Sequence, residues 1–434
     1  MNANELYYNN VHSMATLATA AEEQKSLEVD FSDLDKEVKK SAAFRSVIKI
    51  VEISIQQAYN SRASDIHMDP EETALRLRFR VDGVLHDVYR FPKELHSEII
   101  TRIKVLSGLR TDEHQAAQDG RLRAALADAK GFVDVRVSIT PTYFGENCVM
   151  RLLSDKSGDF SLEQLGFSKV NLDRISRAMK KPYGLILATG PTGSGKTTTL
   201  YMIIKKLNTP DVSIVTIEDP IEYSLPGVDQ IQVNTKTGLL FSTGLRSILR
   251  QDPNVVMVGE IRDGETASIA INAAMTGHLV LSTLHTNDAA TTLPRLLDLG
   301  VEPFLIASTL NIAIAQRLVR MICQDCKVKK TLTDAEIDGL KDSIPDRLLK
   351  GNKVFYKGEG CARCGKTGFK SRIGIHEVLE MNEAIRELVM RRANSDEIRK
   401  ACIASGMVPM LEDGFQKALE GQTTLSEILR VFHE

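Results

Sequence analysis

The octapeptide Gly190-Pro191-Thr192-Gly193-Ser194-Gly195-Lys196-Thr197 constrains this chain more than any other stretch. It fits G-x-x-x-x-G-K-[ST] without a mismatch. Leu185 to Ala188 before it reads as a buried strand. Thr198 to Leu207 after it reads as a helix, with Leu200, Ile203, Ile204 and Leu207 at helical spacing. Such a loop is rich in glycine because backbone N–H groups must wrap a polyphosphate, and a side chain there would block the approach. Lys196 brings a mobile positive charge to the β- and γ-phosphates, Thr197 offers a hydroxyl to Mg²⁺, and Thr198 carries the loop into its helix. The pattern implies that the chain binds nucleotide.

A chain of 434 residues holds two or more domains, and 43% hydrophobic with 26% charged residues is ordinary globular composition. The net charge of −2 shows no basic excess and argues against nucleic acid as a general partner. The first residues lack a basic n-region and an apolar h-region, so no signal peptide is expected. The longest apolar segment, Leu305 to Val319, is interrupted by Ser308, Thr309, Asn311, Gln316 and Arg317 and does not read as a membrane span. A cytoplasmic protein is expected, with any membrane role supplied by partners.

Residues 1–40 are polar and read as an arm. From Ser41 to Tyr59 apolar residues recur at helical spacing. Leu75, Leu77, Phe79 and Val81 then alternate with Arg76, Arg78 and Arg80, the period-2 pattern of a half-buried strand. Asp82-Gly83 predicts a hairpin returning through Val84 to Val88. A helix over 94–106, a second hairpin from 122–125 and 132–139, and a strand over 148–153 complete a small α+β domain at 41–153. The alternating arginines share one face of their strand, which suits either a solvated surface or an anionic ligand.

A polar linker at 154–160 leads into alternating strands and helices, the signature of an α/β domain over 161–434. Three of its strands end in reactive residues, where ligands sit in parallel sheets. Val212 to Ile217 runs into Glu218-Asp219-Pro220-Ile221-Glu222, Val255 to Val258 into Gly259-Glu260, and Leu279 to Leu284 into His285. Glu260 stands where an acid orients or deprotonates the attacking water. Gly259 occupies the place of the usual aspartate, so Mg²⁺ must lean on Thr197, water and another acid such as Glu218. His285 reads as a γ-phosphate sensor, whereas His278 carries no such signal.

Cys323-x-x-Cys326 and Cys361-x-x-Cys364 form two knuckles separated by 34 residues, spacing that suits a structural Cys₄ zinc site. The insertion spans 322–372, with a redox pair as the alternative. Cys148 and Cys402 have no sequence partner and read as buried apolar groups. Residues 376–434 carry helical periodicity and helix starts at Ser395 and Thr424, pointing to a terminal helical bundle.

Arg62-Ala-Ser-Asp-Ile-His67, Phe79-Arg-Val-Asp-Gly83, the phosphate loop, Glu218 to Glu222, Gly259 to Asp263, Gly277 to His285 and the paired Cys-x-x-Cys together resemble the type II secretion and type IV pilus assembly ATPases. The resemblance runs from about residue 41 to the carboxyl end, with every motif in order. It implies a PAS-like amino-terminal lobe and a RecA-like ATPase lobe in a homo-hexamer. ATP hydrolysis would move an inner-membrane platform protein, with a further docking protein possible, so that pilin subunits are assembled. Glu260 matches the catalytic glutamate and His285 the histidine box. Arg80, Arg121, Arg136 and Arg151 become candidates to close over nucleotide at a lobe or subunit interface, Arg80 first. The tetracysteine motif favours the assembly or export branch, while a short region before the first lobe points to a different docking mode or a shortened chain. The alternative is a nucleotide-gated, zinc-bearing module that binds nucleic acid or protein.

Overall fold

The computed structural model describes residues 27–41, 44–127, 131–153, 161–340, 344–351 and 353–433. The arm before residue 27 and the linker at 154–160 lie outside the described residues.

The amino-terminal lobe opens with α1 (Ser32–Val38) and α2 (Val47–Asn60), followed by β1 (Ala63–Pro70) and β2 (Ala74–Val81). Phe31, Leu34 and Val38 are buried with Ile50, Val51 and Ile55 of α2, so residues 31–38 belong to this lobe's core although their polar neighbours read as an arm. In β2 the alternation is realised: Leu75, Leu77, Phe79 and Val81 are buried while the arginines face the other way. Asp82 and Gly83 take φ of 49° and 90°, the left-handed pair whose twist matches two antiparallel strands. The chain returns as β3 (Val84–Pro92), then forms α3 (His96–Leu106), β4 (Gln118–Ala125), β5 (Phe132–Thr142) and β6 (Gly145–Leu153). The sheet is antiparallel throughout, in the order β3-β2-β1-β6-β5-β4.

The ATPase lobe contains α4 (Lys169–Met179), β7 (Gly184–Thr189), α5 (Lys196–Leu207), β8 (Ile214–Glu218), β9 (Asp229–Gln232), α6 (Phe241–Ile248), β10 (Val255–Val258), α7 (Gly264–Met275), β11 (Leu279–Leu284), α8 (Thr292–Asp298) and α9 (Pro303–Thr309). Then come β12 (Leu310–Ile322), β13 (Lys327–Thr331), β14 (Val354–Gly358) and β15 (Phe369–Glu380). The large sheet has the order β15-β12-β7-β11-β10-β8-β9, parallel except for β15. Its central strands are apolar on both faces because helices cover both. Leu185, Leu187, Val256 and Val258 pack toward α6, α7 and α8, while Ile186, Ala188, Val255 and Met257 pack toward α4 and α5.

The apolar run at 305–319 becomes the end of α9 and most of β12, and no helix among the described residues is long and apolar enough to cross a membrane. The carboxyl-terminal helices are α10 (Glu383–Met390), α11 (Ser395–Ala404), α12 (Met410–Leu419) and α13 (Leu425–His433). They begin later than the helical spacing from 376 indicates, because His376 to Glu380 finish β15 along β12. Burial is continuous from Ile373 to Leu379, so these residues show none of the alternation by which a half-buried strand is read. Glu427 anchors α13 to β12 through Arg320 and also pairs with Arg430 on its own helix. Burial raises its pKa, but hydrogen bonds from these guanidinium groups prevail and bring it to about 2.

The cysteine insertion joins the lobes. β13 and β14 pair as a hairpin between the two knuckles. Ser371 N donates to Asp82 Oδ2 at 2.8 Å, and Glu28 N donates to the Gly365 carbonyl at 3.2 Å. The amino-terminal lobe thus grips the second knuckle and its exit strand at two points.

Candidate active site

The phosphate loop leaves β7 at Gly190 and enters α5 at Lys196, with Gly195 in the left-handed N-cap position at φ 87°. Lys196 Nζ donates to the carbonyls of Gly190 and Pro191 at 2.8 and 3.0 Å, so the amine rests against its own loop. Burial lowers its pKa to about 8 against a raising influence from Glu260. The Ser194 hydroxyl and Thr189 Oγ1 are buried without a protein partner. A Cβ on Gly193 would meet no atom within 4 Å, so the loop's open side has the room a polyphosphate needs. Pro191 and Thr192 form the exposed lip of the loop, and Thr197 and Thr198 are half-buried at the start of α5.

Glu260 stands just past β10. Its Oε1 pairs with Arg262, and its Oε2 lies 3.4 Å from His285 Nε2 at the end of β11. Arg262 also reaches Asp219 at 3.9 Å. Lys196, Glu260 and His285 therefore come together from adjacent strands. A Cβ on Gly259 would stand 3.3 Å from Glu218 Cα and from the Ile217 carbonyl, so a larger residue there would ask the end of β8 to give by a few tenths of an ångström.

Glu218 stands apart from this group. Its carboxylate is buried and accepts from Tyr201, from Thr216 Oγ1 at 2.5 Å and from Gln230 Nε2 at 3.1 Å. Tyr201 and Gln230 carried no sequence signal, since one lies in an apolar helix and the other in a short edge strand. His278 hydrogen-bonds the Ala273 carbonyl at 3.1 Å at the end of α7, a structural position.

The four arginines form one line across the amino-terminal sheet. Arg121 pairs in register with Arg136, Arg136 with Arg151, Arg151 with Asp65, and Asp65 with Arg80. Buried Asp65 binds Arg151 at 3.0 Å and Arg80 at 3.4 Å, and Arg80 also donates to the Gly83 carbonyl at 3.1 Å. Arg136 has no such carboxylate in its own sheet. Burial lowers its pKa and Glu222 of the ATPase lobe raises it; Arg121 and Arg151 lower it and Asp219 raises it. The line thus faces the acidic loop after β8.

The four cysteine sulfurs lie within 4.8 Å of one another. The Cys323–Cys361, Cys326–Cys364 and Cys361–Cys364 sulfur separations are 3.9, 4.0 and 3.8 Å. A tetrahedral ion with metal–sulfur bonds of about 2.3 Å holds its ligands ~3.8 Å apart, so the cluster is compatible with zinc. Backbone N–H groups of Gly360, Cys361 and Gly368 point at Cys326 and Cys364, as thiolate ligands require. Cys148 and Cys402 are buried and distant in sequence from the cluster.

A glycine loop after β7 and an acid after β10, with β11 between them in one parallel sheet, define a P-loop nucleotide hydrolase. The family model for the type II/IV secretion system protein matches residues 40–430, and the chain belongs to that family; it is an ATPase. It is 43% identical over 395 residues to the type IV pilus assembly ATPase PilB of Myxococcus xanthus, covering 91% of this chain and 69% of that one. It is equally identical, 43% over 414 residues, to type II secretion system protein E of Aeromonas hydrophila, covering 94% and 81%. The pilus retraction motor PilT with bound ADP superposes with a TM-score of 0.58 at 26% identity, over 88% of this chain and 96% of that one. The DotB ATPase of Legionella pneumophila shares the fold, with a TM-score of 0.65 at 21% identity over 91% and 98%.

The resting position of Lys196 has a measurable consequence. Phosphate oxygens replacing the two carbonyls restore the charged amine, so its pKa rises on binding. Nucleotide binding should take up a substantial fraction of a proton at pH 9 and almost none at pH 6.5, given a free-state value of about 8. Calorimetry in buffers of different ionisation enthalpy reads this directly. Equal proton counts at both pH values would refute it.

Proposed function

We propose that this chain is the ATP-driven motor of a pilus-assembly or type II secretion machine. It works as a homo-hexamer at the cytoplasmic side of the inner membrane, through a platform protein. The observation that supports this reading is the convergence of Lys196, Glu260 and His285 beneath one phosphate loop, with a second lobe turning its arginines toward the adjoining acidic loop. A binding module with incidental hydrolysis has no need of that second lobe.

In this reading Lys196 leaves its carbonyls to hold the β- and γ-phosphates. Glu260 releases Arg262 and takes the proton of the attacking water, while His285 contacts the γ-phosphate. Mg²⁺, when bound, neutralises charge on the phosphate oxygens, and Thr197 is the residue that would hold it. Glu218, with its carboxylate oxygens already engaged, fixes the end of β8 so that Asp219 and Glu222 face the other lobe. Arg136, flanked by Arg121 and Arg151, brings positive charge to the phosphates when the lobes or neighbouring subunits close. Arg80 holds Arg151, the neighbour of Arg136 in the line, through the Asp65 that the two share. Zinc, held by Cys323, Cys326, Cys361 and Cys364, stiffens the insertion gripped by the amino-terminal lobe.

Glu260→Gln should retain ATP binding and hydrolyse it roughly 10²–10⁴-fold more slowly, the scale of losing a general base. Normal turnover in that variant would assign the base elsewhere. The purified protein should contain one zinc per chain, and removing it should loosen the insertion, read as faster amide exchange at Gly360 to Arg372, while nucleotide still binds. Metal analysis without zinc in protein kept reduced throughout would count against this. Arg136→Ala should lower turnover by roughly tenfold or more with ATP affinity little changed, by analogy with arginine fingers. Mixing Arg136→Ala with Glu260→Gln subunits should recover activity above either parent where sites are shared across an interface. ATPase activity stimulated by DNA and indifferent to a platform protein would overturn the motor reading.

A further inference from the structure

β12 runs parallel to β7, and their last registered pair is Ala315 with Thr189. Gln316 is the next residue, directly where Gly190 leaves the sheet to begin the phosphate loop. It is 2% exposed. Its Nε2 donates to the Ser194 carbonyl at 2.7 Å, and its Oε1 accepts from Thr199 Oγ1 at 2.8 Å. One amide therefore ties the middle of the loop to the first turn of the following helix. Its orientation is fixed chemically, because a carbonyl only accepts and so must face the NH₂ group.

The loop's glycines respond to the same residue. A Cβ on Gly190 would lie 2.4 Å from the Gln316 carbonyl, and one on Gly195 would lie 3.1 Å from Gln316 Nε2. Both contacts are on the side of the loop backed by β12. These two glycines thus let β12 approach the loop as well as leaving its other side open to phosphate. Ser194 sits between them with its hydroxyl unpartnered and its carbonyl held by Gln316.

We propose that Gln316 is the positioning residue that pre-sets the phosphate loop for nucleotide. Holding the Ser194 carbonyl turns that peptide so that the loop's N–H groups stay aimed at the phosphate position before ligand arrives. Without the tie, binding must first order the loop, and that cost appears as weaker affinity. Only a side chain with one donor and one acceptor satisfies both contacts; a carboxylate would oppose the Ser194 carbonyl, and an apolar chain would leave both groups unpaired in a buried site. The inference rests on the assignment of residues 190–197 to phosphate binding.

Gln316→Met keeps length and volume while removing both hydrogen bonds. In the full chain with Mg²⁺, its Kd for ADP should rise about tenfold, equivalent to ~1.4 kcal/mol. Ile314→Val, a buried change in the same strand, should lower Tm without weakening ADP. Thr199→Val, which removes only the second hydrogen bond, should weaken ADP by roughly threefold and serves if Gln316→Met does not fold. Parental affinity in Gln316→Met, or in Thr199→Val where that variant stands in, overturns the proposal. So does an equal loss in Ile314→Val, since affinity would then follow stability alone. Lys196→Ala separates the two levels of argument: if it binds ADP like the parent, the phosphate-loop assignment itself fails.

Discussion

Everything reactive in this chain depends on the in-register parallel pairing of β8, β10, β11 and β7. Ile217 pairs with Val258, Val258 with Ser282, and Ser282 with Leu187. Parallel strands paired in this way end on one level, and helices covering both faces force each return to the same starting edge. Glu218, Glu260, His285 and Gly190 follow these paired positions by one to three residues, so the pairing brings residues far apart in sequence to a common rim. The side-chain bonds among them refine an arrangement that the backbone ladder has already made.

The second lobe meets that rim with a different device. An antiparallel sheet lays residues side by side across strands, which turns four arginines from separate strands into one line. Asp65 lies within the line and takes up the charge of Arg80 and Arg151, so Arg136 is left to respond to the ATPase lobe. The cysteine insertion fixes how this sheet sits, because Asp82 and the segment before α1 both reach it.

The phosphate loop, the two cysteine knuckles and the Asp82-Gly83 hairpin were legible in the sequence because each is local. Their residue types and spacing answer to backbone conformation or ligand geometry within a few positions. The strand ends bearing Glu260 and His285 were legible too, through apolar runs that stop at polar residues. The start of the terminal helices was not, because His376 to Leu379 are all buried and show none of the alternation that marks a half-buried strand. Phe31, Leu34 and Val38 were hidden among charged neighbours whose side chains face water while these three face the core.

The sequence by itself pointed to nucleotide binding at residues 190–197, to four cysteines suited to one metal and to an α+β lobe followed by an α/β lobe. Tertiary structure alone decided that Gln316 ties the loop from behind, that Tyr201, Thr216 and Gln230 engage Glu218, and that Arg136 rather than Arg80 responds to the acidic loop. A motif that shapes its own backbone is written in neighbouring residues, whereas a side chain that ties separate elements together, as Gln316 of β12 ties Ser194 of the loop, takes its role from the register of the sheet that sets them side by side.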